Sequence, residues 1–343
     1  MAAPNKLAPD ISARVYETIL DTYARNKTSL SFPRLAIIGA QPGAGKSTVT
    51  GLITRGFGTE DPLIANLDDL RNFHPAAREI FQRHPFEMAV YTNEDAWAWT
   101  RKLLRHARRA KNNTLYETTL RVASSVELII QAFQHDGYAV DLHALAVNSK
   151  LSIQGIYDRF ENQLDYSSAP RWTGIEFHDS AYVAFPSNVG HLEATAGLER
   201  VSVYRRSGDS IYLNTQTATQ TTGAQETIIS ERNRDWSQDE KEEYLSKWKQ
   251  ICADIETRTG PKPEWYVENA KRLHREAELF TASRLAYTGE SVEPSRVEDV
   301  THHHVFMRTA DNQLVCFNVE ALDAAKIPAS NLRLMTQPVD AHP

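Results

Sequence analysis

A nine-residue run, Ala40, Gln41, Pro42, Gly43, Ala44, Gly45, Lys46, Ser47 and Thr48, lies between an apolar stretch of strand length, PRLAIIGA, and a helical pattern, STVTGLITRGF. That strand–turn–helix setting is what makes a Gly-rich run ending in Lys-Ser credible as a phosphate loop. Glycines at 43 and 45 let backbone N–H groups turn inward around an anion, and the helix N-terminus adds partial positive charge. In this reading Lys46 reaches the β- and γ-phosphates of a nucleotide and Ser47 offers its hydroxyl to Mg²⁺. The strict pattern has glycine where this chain has Ala40, with Gly39 one residue early. Alanine fits there if that residue keeps a negative φ.

The pattern around the loop alternates strands with helices. Strands are expected near 35–39, 63–67, 114–117, 140–147 and 201–205, and helices near 10–26, after the loop, at 94–110, at SSVELIIQAFQHDG and at LSIQGIYDRFENQL. Such alternation predicts an α/β fold: a P-loop NTPase-type parallel sheet with helices on both faces. Ligands of such sheets bind at the carboxyl ends of the strands, so the polar strand ends near residues 40, 68, 117 and 147 should share one edge. The Thr-, Gln- and Ser-rich segment 214–234 reads as a loop or linker. The expected division is a core over 1–235, including an N-terminal helix, and a helical extension and tail over 236–343, packed on the core. In that extension Tyr244, Trp248, Ile251 and Ile255 form one apolar stripe, and Tyr266, Ala270, Leu273, Ala277 and Phe280 a second. One more strand-like run, QLVCFNV, precedes an irregular tail.

Composition narrows the functional classes. A net charge of −6 over 343 residues argues against a nucleic-acid partner. The two cysteines, Cys252 and Cys316, are far apart and make neither a zinc site nor a disulfide framework. No apolar run approaches a membrane span, and the N-terminus has no signal-peptide core. The expectation is a cytoplasmic protein without a membrane partner.

Asp68 and Asp69 follow the second strand, in NLDDLRNFHP, and face the same cleft as the phosphate loop. A carboxylate there either accepts the proton of an attacking hydroxyl or binds Mg²⁺ through water; the bland alternative is a helix cap. Glu117, Thr119 and Arg121 end the third strand and suit a polar, hydroxyl-rich, partly anionic substrate, or else a loop with an internal salt bridge. Arg159 lies off the apolar face Ile153, Ile156, Tyr157, Phe160 and Leu164, with no acidic neighbour three or four residues away. Arg171 follows in APRWTG. Two arginines after the strands are what a phosphoryl-transfer site needs against charge developing on a γ-phosphate.

These pieces, in this order from about Pro33 to Tyr212, resemble the zeta-toxin family, the kinase half of epsilon/zeta-type toxin–antitoxin systems. The resemblance rests on GAQPGAGKST, LDDLRNFHP, ETTLR, IYDRFE, PRWTGIEFHD and VYRRSGDSIY. It selects Asp68, six residues before His74-Pro75, as the catalytic base. It implies substrate contacts at Glu117, Thr119, Leu120 and Arg121, and catalytic arginines at 159 and 171. It also implies ATP or GTP as donor and phosphorylation of the sugar 3′-hydroxyl of UDP-N-acetylglucosamine or a related UDP-sugar, which would block peptidoglycan precursor synthesis. A small helical antitoxin occupying the nucleotide site is implied too. The chain departs from the family at Ala40 and at Thr118, where a small glycine is usual; the region after about 235 has no secure match.

The expected chemistry is therefore in-line transfer with Asp68 as base, Lys46, Arg159 and Arg171 carrying charge, and Ser47 positioning the metal. Two alternatives stand beside it: a kinase for another nucleotide such as NAD, and a P-loop regulatory module without transfer chemistry. A regulatory module has no need for Asp68, Arg159 and Arg171 to converge on the loop. A metal site at His302–His304 is set aside, because consecutive histidines on a strand point to opposite faces.

Overall fold

The computed structural model describes residues 6–166, 170–215, 223–285, 294–301, 303–309 and 313–318. The chain divides into two compact units, Met1–Arg234 and Asp235–Pro343.

The first unit begins with α1 (Pro9–Tyr23), β1 (Arg34–Gly39) and α2 (Lys46–Gly56). There follow β2 (Leu63–Asn66), the one-turn α3 (Leu67–Leu70), a 3-10 turn (Arg71–Phe73), α4 (Ala77–Arg83) and α5 (Met88–Ala110). The chain continues through β3 (Thr114–Thr118), α6 (Ala123–His135), β4 (Ala139–Leu145), α7 (Ser149–Tyr166) and α8 (Ile175–Thr195). It ends with β5 (Arg200–Tyr204), β6 (Ser210–Thr215) and α9 (Ala224–Asn233).

The sheet order is β2-β3-β1-β4-β5-β6, with every pair parallel except β5 and β6. The expected parallel P-loop-type sheet is thus present, extended by an antiparallel edge strand. Helices cover both faces, so β1 is apolar on both sides. Leu35 and Ile37 join Trp99, Leu103, Ile130 and Phe185 on one face, while Ile38 packs with Val49 of α2 on the other. Pairings of Gly39 with Thr118, Asn66 with Glu117, and Gly39 with Ala144 bring the carboxyl ends of four strands to one edge.

The segment read as a linker is different in kind. Residues 210–215 form β6 and 224–233 form α9; residues 216–222 lie outside the described residues. The helix escaped notice because its buried stripe is Ala224, Ile228 and Arg232. An arginine at the third position breaks the apolar period on which the sequence reading relied. Likewise α5 starts at Met88, six residues before the expected 94.

The second unit contains α10 (Gln238–Thr257) and α11 (Glu264–Ala282), the first closed by a capping box between Ser237 and Glu240. Both expected stripes are buried, and the two helices pack on each other. The unit is not helical throughout. Strands β7 (Arg284–Leu285), β8 (Pro294–Val300), β9 (His304–Thr309) and β10 (Leu314–Asn318) form a second sheet in the order β7-β10-β9-β8. QLVCFNV supplies β10, and the stretch called a tail lies outside the described residues from 319 onward. His302 also lies outside them. His303 and His304 do not face apart: both bring Nδ1 to Glu276 Oε1, at 3.0 and 3.1 Å, because His303 precedes β9 and escapes strand alternation. Among the described residues, no helix is long and apolar enough to cross a membrane.

Candidate active site

The phosphate loop leaves β1 at the sheet's carboxyl edge. Gly43 has φ +74° and Gly45 φ +82°, the left-handed region that glycine enters without a Cβ clash. Space adds to strain at Gly43, where a Cβ would lie 1.9 Å from the Ser152 carbonyl oxygen of α7. Ala40 keeps a negative φ and is fully buried, so the departure from glycine is accommodated as the sequence required. Pro42 and Ala44 are also buried, whereas Ser47 and Thr48 are exposed on the first turn of α2. That turn has neither an acidic residue nor a side-chain cap, so nothing on α2 offsets its positive end.

Lys46 opens α2 and donates from Nζ to the Ala40 carbonyl at 3.3 Å. Burial lowers its pKa to about 8; Glu117 opposes the shift, and the charges of Arg159 and Arg171 add to it. Lysine and both arginines therefore belong to one electrostatic cluster. Arg171 comes from the loop before α8, anchored by its backbone N–H to Gln163 Oε1 at 2.9 Å. Its Nη1 lies 3.2 Å from Asp68 Oδ2 and 3.9 Å from Asp69 Oδ1. Arg159 comes from α7 and donates from Nη2 to Thr173 Oγ1 at 2.9 Å. Burial lowers the Arg171 pKa to about 10, still leaving it cationic at neutral pH.

The two aspartates differ in surroundings. Neither caps α3: that role falls to Asn66, whose Oδ1 accepts the Asp68 N–H at 2.9 Å. Asp68 lies between two guanidinium groups, Arg171 and Arg71, the latter with Nε 3.3 Å from Oδ1. Asp69 has a pKa raised to about 6, by desolvation first and then by the charge of Glu117.

The residues at the third strand end have different partners. Glu117 turns towards α2 and β2, accepting from Thr50 Oγ1 at 2.8 Å and Asn66 Nδ2 at 3.1 Å. Arg121 is exposed, with its guanidinium 5.0 Å from the centre of the Phe177 ring. Thr119, half-buried, lies between them in sequence. Leu120 is fully buried at φ +51°, uncommon for a side chain with a Cβ, and it packs where any Cβ on Gly39 would stand. Asn188 holds this turn by donating to the carbonyls of Leu120 and Arg121. Thr118, the second departure from the family pattern, accepts the Leu120 N–H on Oγ1.

Three residues of the site escaped the sequence reading. Arg71 fastens Asp68 to α5, donating also to Ala89 O, Thr92 Oγ1 and Asn93 Oδ1. Its signal was an arginine three residues after an aspartate on a short helix. Arg206, in the β5–β6 turn, donates to Leu151 O at 2.8 Å and lies beside Gly45. Arg232 of α9 donates to Gln41 of the phosphate loop. It had no local signal.

The zeta-toxin family model matches residues 17–217, more than half of the chain. The chain is 28% identical over 225 residues to Toxin PezT of Streptococcus pneumoniae serotype 4 (strain ATCC BAA-334 / TIGR4), covering 65% of this chain and 87% of the relative. It is 23% identical over 247 residues to Toxin zeta of Streptococcus agalactiae, covering 72% and 85%. Among solved structures, one from the characterization of the PezAT chromosomal toxin–antitoxin system of Streptococcus pneumoniae superposes with a TM-score of 0.63 at 24% identity, covering 74% of this chain and 99% of that one. The matched region spans the phosphate loop, both aspartates and both arginines, and the chain belongs to the zeta-toxin family.

Proposed function

We propose that this chain is a toxin kinase that transfers the γ-phosphate of ATP or GTP to the sugar 3′-hydroxyl of UDP-N-acetylglucosamine or a related UDP-sugar. The observation that carries the reading is the convergence of Lys46, Arg159 and Arg171 in one charge cluster, with Arg171 reaching Asp68. A binding module has no use for that arrangement. The loop amides and Lys46 hold the nucleotide phosphates, and the arginines bear the charge that develops on the transferred group. Asp68 takes the hydroxyl proton.

Mg²⁺ fits the residues present. The exposed Ser47 hydroxyl at the loop and the carboxylate of Asp69 are hard oxygen donors of the kind this ion takes. Among the described residues, no group of three or more His, Cys, Asp and Glu side chains could hold an ion unaided, so phosphate oxygens and water would complete the shell. When bound, the ion would supply positive charge against the phosphates of the nucleotide. By analogy with the PezAT system, an antitoxin protein is the proposed partner.

The test is incubation with ATP or GTP, Mg²⁺ and a panel of UDP-sugars and NAD, read by mass spectrometry. A single added phosphate on a UDP-sugar is expected. Phosphate on NAD alone would move the acceptor to another nucleotide, and no transfer to any member would overturn the kinase reading.

A pH dependence follows from Lys46. Its pKa of about 8 lies below that of an ordinary lysine, so its cation is present below that pH and lost above it. Nucleotide affinity of the free protein should fall as pH rises through about 8. Arg159→Ala should move that limb upward by removing a like charge. Fluorescent-nucleotide titrations across this range check both; an affinity that stays flat would mean Lys46 does not bear on the phosphates.

A further inference from the structure

We infer that Arg232, outside the segment matched by the family model, is a positioning residue that sets the phosphate loop for nucleotide. The inference rests on the kinase reading for what the loop binds, but its evidence is separate.

Arg232 is 3% exposed, on α9. Its Nη2 donates to Gln41 Oε1 at 2.9 Å and its Nη1 to the Tyr182 carbonyl at 2.8 Å. The guanidinium carbon lies 3.9 Å from the centre of the Tyr182 ring. Among the described residues no carboxylate pairs with it. Burial lowers its pKa to about 10, which leaves it charged at neutral pH. A buried cation without a counter-charge is costly, and a neutral side chain would satisfy the same two acceptors more cheaply.

Its target explains the expense. Gln41 is the second residue of the loop and is completely buried. Its Nε2 donates to Val147 O at 2.8 Å and Ser152 Oγ at 3.2 Å. An amide has one acceptor oxygen and one donor nitrogen. Arg232 can only donate, so it fixes which end of the amide faces α9 and which faces Val147 and α7. Ser152 Oγ is itself 2.7 Å from His178 Nε2, and the Gln41 carbonyl accepts the Ala44 N–H. The loop is thereby held at its second residue against α7 and α9, which fixes the start of the run whose later amides would meet an anion. The Arg232 carbonyl accepts from Asn148 Nδ2, which ties α9 to the start of α7 as well.

The experiment measures ATP·Mg²⁺ affinity and thermal stability of the full chain for the parent, Arg232→Met, Gln41→Leu, the double variant and Tyr182→Leu. Arg232→Met should weaken ATP about tenfold or more, the scale of losing a group that orients a binding residue without touching the ligand. In Gln41→Leu the same change should have little further effect on affinity, because the link is already cut. Tyr182→Leu removes the ring beneath the guanidinium but keeps the backbone carbonyl, so it should lower the melting temperature and spare ATP affinity. If Arg232→Met does not fold, Arg232→Lys takes its place in the same cycle, with a weaker but parallel loss. Parent protein that fails to bind ATP would sink the kinase reading. Parent protein that binds while affinity stays unchanged in the arginine variants, or falls equally in Tyr182→Leu, would overturn the inference alone.

Discussion

Asp68→Asn is expected to bind ATP as the parent does and to transfer phosphate about 10²–10⁴-fold more slowly. Binding should survive because the loop amides, Lys46 and Ser47 are untouched. The local fold should survive because Asn66, not Asp68, caps α3. Transfer should fail because an amide cannot accept the hydroxyl proton. Asp69→Asn makes the comparison sharp. Asp69 has the pKa of about 6 that suits a base working near neutrality, whereas Asp68 is held between two guanidinium groups. Family register favours the oriented carboxylate and titration favours its neighbour. If Asp69→Asn is the inert variant, and the acid limb of kcat/KM near pH 6 disappears with it, the base is Asp69. Single-turnover transfer with each variant, alongside ATP binding, decides between them.

Arg159→Ala and Arg171→Ala should each lower kcat by roughly 10²-fold or more, the scale of losing one preorganised electrostatic contact in a transition state. Their couplings should differ. Arg171 touches Asp68 at 3.2 Å, so Arg171→Ala combined with Asp68→Asn should cost less than the product of the two single losses. Arg159 donates to Thr173 instead, so its loss carries over to the Asp68→Asn background with less attenuation. Steady-state kinetics on the two double variants measure the contrast. Full activity in both single variants would make the pair structural.

What the sequence carried was local. The phosphate loop was legible because its chemistry demands a fixed run of residues, and the five parallel strands because buried strands are short apolar runs between turns. The two arginines were legible as a pair, although the spatial cluster with Lys46 needed the fold. What stayed hidden depended on long-range partners. A helix cap stood as the alternative role for one of Asp68 and Asp69, and the structure gives that role to Asn66. Arg71 owes its place to α5, about twenty residues away in the chain. Arg232 occupies an apolar position in its helix and masked the helix itself. In the second unit charged residues interrupt β8 and a histidine and an arginine flank the apolar run of β9, whereas β10 is an uncharged run.

The close seat of the loop on α7 separates the two arginines by what holds them. A Cβ on Gly155 would lie 2.2 Å from the Gly43 carbonyl oxygen, so the loop rests directly on the helix backbone. Arg159 is four residues further along the same helix, about 6 Å of axial rise at 1.5 Å per residue. Loop and arginine are thus mounted on a common rod, and their separation is a property of helix geometry. Arg171 has no such mounting; its place is set by the segment before α8 and by its grip on Asp68. One charge is a fixed post on the helix that seats the loop and the other a tethered arm attached to the acidic segment. Any displacement of the acidic segment would then be felt by Arg171 and Asp68 together, leaving the spacing between the Gly43 turn and Arg159 as it was.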